Sequence, residues 1–171
     1  VYDLFAWDDA GTKRCTRGPA WTTSTRIETG AGTTELVRVK GVLVNANAIT
    51  NGPAAQRGTY VGTIWSNASS QIDFILGSIG AGGTAAVFGL WNHYNRVDFA
   101  TFIGDSTNQW TYAVAAWRQA NASAGMQCSF VRGLDIDSMT ATYITICVFN
   151  ASGTAVVGVG LDPTSAITGA T

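Results

Sequence analysis

Apolar and polar positions along the chain fall into short runs of β-branched and aromatic residues broken by turn chemistry, and no stretch sustains an amphipathic period of 3.6 over three turns. The first run, 2–7, ends at Asp8-Asp9-Ala10-Gly11, which reads as strand, tight turn, strand. Further strands are expected over 35–45, 58–65, 71–76, 110–118, 126–131, 141–149 and 155–160, with breaks such as Asn51-Gly52-Pro53 and Gly80-Ala81-Gly82-Gly83. The stretch 84–94 contains Gly89 and is compatible with a short helix or a strand. About eight strands with little helix and no internal repeat predict an all-β fold, a two-sheet antiparallel β-sandwich of jelly-roll type, as a single domain over 1–171.

Two stretches refine that picture. Met126, Cys128 and Phe130 alternate with Gln127 and Ser129, so this strand is expected to turn the first set to the core and the second to water. Tyr143-Ile144-Thr145-Ile146-Cys147-Val148-Phe149 is apolar at nearly every position and should be covered on both faces. Tyr143, Ile144, Ile146, Val148 and Phe149 are therefore the candidate subunit seam.

Composition narrows the function. Hydrophobic residues make up 46% of the 171 and charged residues only 12%, about half the usual charged share. Much of the surface must then be Thr, Ser, Asn, Gly and Ala, which repels neighbours weakly and suits packing into an assembly. A net charge of -1 supplies no basic field for nucleic acid. No apolar run approaches the roughly 18 residues of a membrane span, so no membrane insertion is expected. A start at Val1 without Met and the weakly structured Thr168-Gly169-Ala170-Thr171 suggest a piece of a longer polypeptide or a processed product. Cys15, Cys128 and Cys147, an odd number at long spacings, fit no zinc pattern and are read as reduced, buried thiols.

The search for chemistry returns little. His93 is the only histidine, which removes most triads and multi-histidine metal sites. Asp8-Asp9 and the pair Asp135 and Asp137 are read as solvated turn carboxylates, and Gly80-Ala81-Gly82-Gly83, without a following Lys-Ser/Thr, as a flexible turn. No cofactor and no metal are expected. Three Asn-Ala-Ser triplets, at Asn67, Asn121 and Asn150, mark exposed loops. The densest aromatic segment is Trp91, Asn92, His93, Tyr94, Asn95 and Arg96, and Trp117-Arg118-Gln119-Ala120-Asn121 repeats its chemistry. Each is either a rigid corner packed on the core or a seam, or a platform on which a sugar ring stacks while amides hold its hydroxyls.

At these two segments the chain resembles a family of virion structural proteins of tailed bacteriophages, in which Trp-Asn-x-Tyr-Asn-Arg-Val and aromatic-Arg-Gln-Ala-Asn recur. Further shared landmarks are Tyr2-Asp3-Leu4-Phe5, Asp9-Ala10-Gly11-Thr12, Ala20-Trp21 with Arg26, Gly41-Val42-Leu43-Val44, Arg57-Gly58-Thr59-Tyr60-Val61-Gly62-Thr63 and Trp110-Thr111-Tyr112, in order from about residue 2 to 132. His93 stands where the family commonly carries a second Tyr, and the stretch before Arg57 is longer. The resemblance implies a non-enzymatic structural domain on the virion surface: a capsid decoration, head fibre or tail component. It also implies a homotrimer or other closed homo-oligomer in contact with major capsid or tail proteins.

Three functions follow in order. The first is a virion surface protein working through symmetric protein contacts. The second is a glycan-binding receptor domain of a phage fibre, directed at host surface polysaccharide through Trp91, Tyr94 and Trp117. The third is a polysaccharide-cleaving enzyme using two of Asp98, Asp105, Asp135 and Asp137.

Overall fold

The computed structural model describes residues 1–21, 36–98, 100–114, 116–134, 140–146, 157–162, 165 and 166. Strands make up 40% of it and helix 2%, so the chain is all-β. The N-terminal run forms β1 (Tyr2–Asp9) and β2 (Thr12–Ala20), joined through Ala10 and Gly11 at φ 49° and 93°. Two consecutive left-handed residues make the primed turn that matches strand twist. The second strand, over nine residues, is as firm as the first. Its register with β1 shifts between Tyr2 and Leu4, where Gly18 and Pro19 bulge out of the ladder.

The expected strand over 35–45 is instead a hairpin, β3 (Leu36–Val39) and β4 (Val42–Asn45), which turns through Lys40 and Gly41 at φ 48° and 87°. Valines and leucines on both sides conceal the turn, and only Gly41 signals it. With β5 (Thr59–Ile64) and β9 (Leu90–Asn92) these strands form the principal sheet, ordered β2-β1-β5-β4-β3. The second edge of β5 is shared, by β4 at Thr59 and by β9 from Gly62 to Ile64.

The rest is drawn in short pieces: β6 (Phe74–Ile75), β7 (Ile79–Gly80), β8 (Ala86–Phe88), β10 (Gly104–Asp105), β11 (Cys128–Phe130), β12 (Gly160–Asp162) and β13 (Ser165–Ala166). β11 runs parallel to β8, which pairs antiparallel with β6, and β10 runs parallel to β7. The described residues thus hold thirteen strands, many of two or three residues, in mainly antiparallel sheets that are consistent with the expected all-β sandwich. The 84–94 stretch resolves into β8 and β9. Residues 110–114 and 116–118 are not a strand, and of 71–76 only Phe74–Ile75 is one.

Two burial expectations are corrected. Cys128 and Phe130 are exposed and Ser129 is the better covered residue of β11, because pairing with β8 is this strand's only described support. Residues 140–146 form no strand, and Ile144 and Ile146 are 84% and 92% exposed. Cys15 and Cys128 are free thiols but exposed rather than buried.

The core is small: Phe5, Ile49 and Tyr60, with Leu36, Leu43, Trp91 and Leu134 packed against them. Beside it three polar residues are fully buried, Asp3, Asn45 and Thr63. The β1–β5 register shifts between Leu4 and Phe5, leaving Val61 as an extra residue. That bulge turns Tyr60 and Thr63, three apart, to the same face, opposite Phe5 and Asp3. There Thr63 Oγ1 donates to Asp3 Oδ1 at 2.8 Å. A threonine hydroxyl has one proton, so Tyr60 donates to Thr63 at 2.6 Å. A methyl group at Gly133 would fall on the Tyr60 hydroxyl and Thr63 Oγ1, so that backbone seals the relay.

This direction of donation ranks two substitutions. Tyr60→Phe removes only the outer donor and should cost about 1 kcal/mol, whereas Thr63→Val strips both neighbours of a partner inside the core and should cost about 3 kcal/mol. Urea unfolding at matched protein concentration measures both, and an equal or reversed order would contradict the relay.

Candidate functional site

The Trp91 segment is built inward. Backbone pairing of β9 to β5, extended by the His93 N–H to the Val61 carbonyl at 2.9 Å, fixes its first residues. The Trp91 ring stacks on Tyr60 at 6.1 Å and on His93 at 5.8 Å, and Tyr94 meets His93 edge-on at 4.7 Å. Phe5 touches Tyr60 at 6.1 Å, so aromatic contact runs unbroken from the core to exposed Tyr94. Asn92 Oδ1 accepts the N–H groups of Tyr94 and Asn95 at 3.0 and 3.1 Å, the local turn that Asn favours. Arg96 lies 5.4 Å over the Trp91 ring and donates to the His93 carbonyl. The ring face a sugar would need is covered by the motif's own arginine.

Arg118, next to Trp117 in the chain, organises a second cluster. Its guanidinium sits 3.9 Å over Tyr112 and 5.9 Å from the Trp110 ring centre, and it donates to the Thr111 carbonyl at 3.2 Å. The Tyr112 hydroxyl closes the loop onto the Ala116 carbonyl. Trp110, Tyr112 and Trp117 all remain exposed.

Of the candidate seam, Tyr143 is partly covered, Ile144 and Ile146 are open to solvent, and Val148 and Phe149 lie outside the described residues. A second apolar surface, not anticipated from sequence, lies on β6, β8 and β11. Phe74 and Phe130 are the cross-strand partners of Phe88, and the Phe74 ring meets Phe88 at 5.3 Å. Phe88 is buried, while its flanks are 59% and 41% exposed. Ile75 and Leu76 are exposed beside them, and Ile79 and Phe102 meet near Gly104, with Phe102 67% exposed. Phe74-Ile75-Leu76 is a consecutive apolar run without alternation, and the alternation of Met126, Cys128 and Phe130 does not say which face is covered.

No family model, no curated protein and no solved structure matches the chain.

The carboxylates named for glycosidase chemistry are otherwise placed. Asp98 is exposed, and Asp135 and Asp137 lie outside the described residues. Asp105 is a clasp: Oδ1 accepts the N–H groups of Gly82 and Thr107 at 2.7 and 2.9 Å, and Oδ2 accepts the Asn121 amide at 2.8 Å. Gly80-Ala81-Gly82-Gly83 is consequently tied rather than flexible, with Ser123 bonded to the Gly82 carbonyl from the other side. The amide of Asn67 is engaged with Asp73 and its oxygen with Ser69 and Gln71, so neither Asn67 nor Asn121 is the open loop residue expected. Asn150 lies outside the described residues. Among the described residues no three His, Cys, Asp or Glu side chains gather to hold a metal.

Bonds from Thr107, with the Gly82 N–H and the Asn121 amide, hold the Asp105 carboxyl down at about 2. A lowered folded value means the clasp is at full strength above the ordinary carboxyl range and is lost as pH falls through about 2. Followed by NMR, the Gly82 and Thr107 amide protons should shift with a midpoint near 2; a midpoint near 4, that of a free Asp, would contradict the clasp.

Proposed function

We propose that this protein is a non-enzymatic structural protein of the bacteriophage virion surface. It decorates or stabilises the particle as a capsid decoration, head fibre or tail component, through symmetric contacts in a homotrimer or other closed homo-oligomer. The observation that carries the assembly is the apolar side chains left open on one chain: Phe74, Ile79, Phe102 and Phe130 on and beside the β6–β8–β11 row, and Ile144 and Ile146 on the expected seam, all face solvent. Single exposed apolar residues are ordinary, but a cross-strand row with neighbours on both sides is the mark of a contact surface. Charge distribution agrees, since only five of the 21 charged residues lie between Ile72 and Val131, where most of this surface is made. An apolar, nearly uncharged surface finds its own copy complementary, with no like charges to separate it. The virion location rests on the family resemblance of the motifs.

The glycan-receptor alternative is weakened at its first anchor, because Trp91 is spent on Tyr60, His93 and Arg96. Asp105, one of the carboxylates considered for hydrolysis, is spent on Gly82, Thr107 and Asn121.

Native mass by light scattering tests the assembly. The chain should run as a closed oligomer at micromolar concentration, and Ile146→Asp should shift it to monomer. Ile146 is 92% exposed, so this variant loses no packing within its own chain. A wild-type monomer, or an oligomer indifferent to both Ile146→Asp and Phe102→Asp, would overturn it.

A further inference from the structure

The polar counterpart of the apolar surface lies at the tip of the β1–β2 hairpin, where an open cavity of 440 Å³ is lined by Trp7, Asp8, Ala54 and Arg57. Its volume falls within the roughly 300–1,000 Å³ of small-molecule sites. None of these residues belongs to the two aromatic segments described above.

Both walls are held before any ligand arrives. Trp7 Nε1 donates to Thr16 Oγ1 at 2.8 Å across the hairpin, which pins the indole. Asp8 accepts the Gly11 N–H at 2.6 Å and pairs with Lys13, so its orientation is fixed too. The opposite wall is clamped by buried Asn45, whose amide donates to the Asn47 and Ala54 carbonyls at 2.7 and 2.9 Å and whose oxygen accepts the Gly58 N–H at 2.7 Å. Gln56 takes φ 61° and donates its N–H to the Asn45 carbonyl at 2.8 Å, and the Arg57 N–H bonds to the Ala54 carbonyl at 3.1 Å. The side chain of this buried asparagine thus holds three loop residues in place, and its carbonyl holds a fourth. Such support is what a preorganised site requires.

The chemistry offered is specific. Asp8 and Lys13 cancel, and no described side chain pairs with the Arg57 guanidinium, so the lining carries one uncompensated cation. Asp8 still has acceptor capacity beyond its two bonds. The ligand must therefore bring an apolar face for the indole, hydroxyl donors for Asp8 and an anion for Arg57. A phosphate has no apolar face to lay on the indole. A neutral sugar leaves the guanidinium unanswered.

The geometry points to an acidic saccharide as the ligand of this cavity: a pyranose stacked by its C–H face on Trp7, with its carboxylate forked to Arg57 and a hydroxyl donated to Asp8. This site does not depend on the oligomer or on the virion location.

The test is an NMR titration of the full 171-residue chain with short galacturonate oligosaccharides, reading Trp7 indole and Arg57 Nε–H signals. Both should move saturably, and malto-oligosaccharides should bind at least about tenfold more weakly, the worth of one charge-assisted hydrogen bond. Arg57→Gln, an exposed change that breaks no bond within the described chain, should weaken galacturonate binding by a similar factor, and Arg57→Lys should restore part of it. Unmoved Trp7 and Arg57 signals would overturn the site. So would equal binding of the neutral sugar, unchanged affinity in Arg57→Gln, or displacement by inorganic phosphate as effective as by galacturonate.

Discussion

The bonded file Tyr60 to Thr63 to Asp3 is the constraint on which the rest of this chain depends. It joins β1 to β5, the strand that β1, β4 and β9 all pair with, and it does so inside a core of very few large side chains. Buried polar groups cost more unpaired than they return paired. The three residues therefore work less as a source of stability than as a selector of register. Slipping β1 against β5 by one residue would strand a carboxylate and a hydroxyl in apolar surroundings, and every side chain would change face. The bulge at Val61, the Gly133 backbone and the aromatic file from Tyr60 to Tyr94 all fall into place once that register is set.

A second buried residue does the same for the loop side. Asn45 ends β4, and from that one position it ties 47, 54 and 58 together, so the Asn- and Ala-rich segment before β5 is ordered without a strand of its own. Both organising groups lie within the first 63 residues, and eleven of the chain's 21 charges lie in its first 45. Beyond β5 the ladders shorten to two or three residues and pair across long connections, while apolar side chains are exposed. Two- and three-residue ladders are marginal alone. Their order must come from clasps such as Asp105 and from whatever covers the phenylalanine row.

How much of this is legible in the sequence follows the range of the interactions. The Ala10-Gly11 hairpin is local and reads directly, as does β5, whose residues are apolar or β-branched. The turn at Lys40-Gly41 is equally local but hidden, because valines and leucine flank it on both sides. The phase of β11 fails for a different reason. Alternation says which residues share a face, not which face is covered, and coverage there depends on partners far along the chain. Asp3, Asn45 and Thr63 give no sign of burial at all, since composition places such residues outside. Their role appears only when a bulge, which periodicity takes for an error, brings Tyr60 and Thr63 to one side.

The same logic separates the two motif segments from the hairpin cavity. In Trp91 to Arg96 each unusual residue is answered within the motif: indole by arginine, asparagine by two amides, histidine by its ring neighbours. A constellation that satisfies itself has little left to offer a ligand, so its distinctiveness in sequence reports a shape that is hard to build. At the hairpin tip the accounting does not close inside the described chain, because the indole and the backbone that carries Arg57 are held in position while no described side chain answers the guanidinium. Rigidity without satisfaction is the better sign of binding, because the ordering entropy has been met in folding and the contact has been left for another molecule to make.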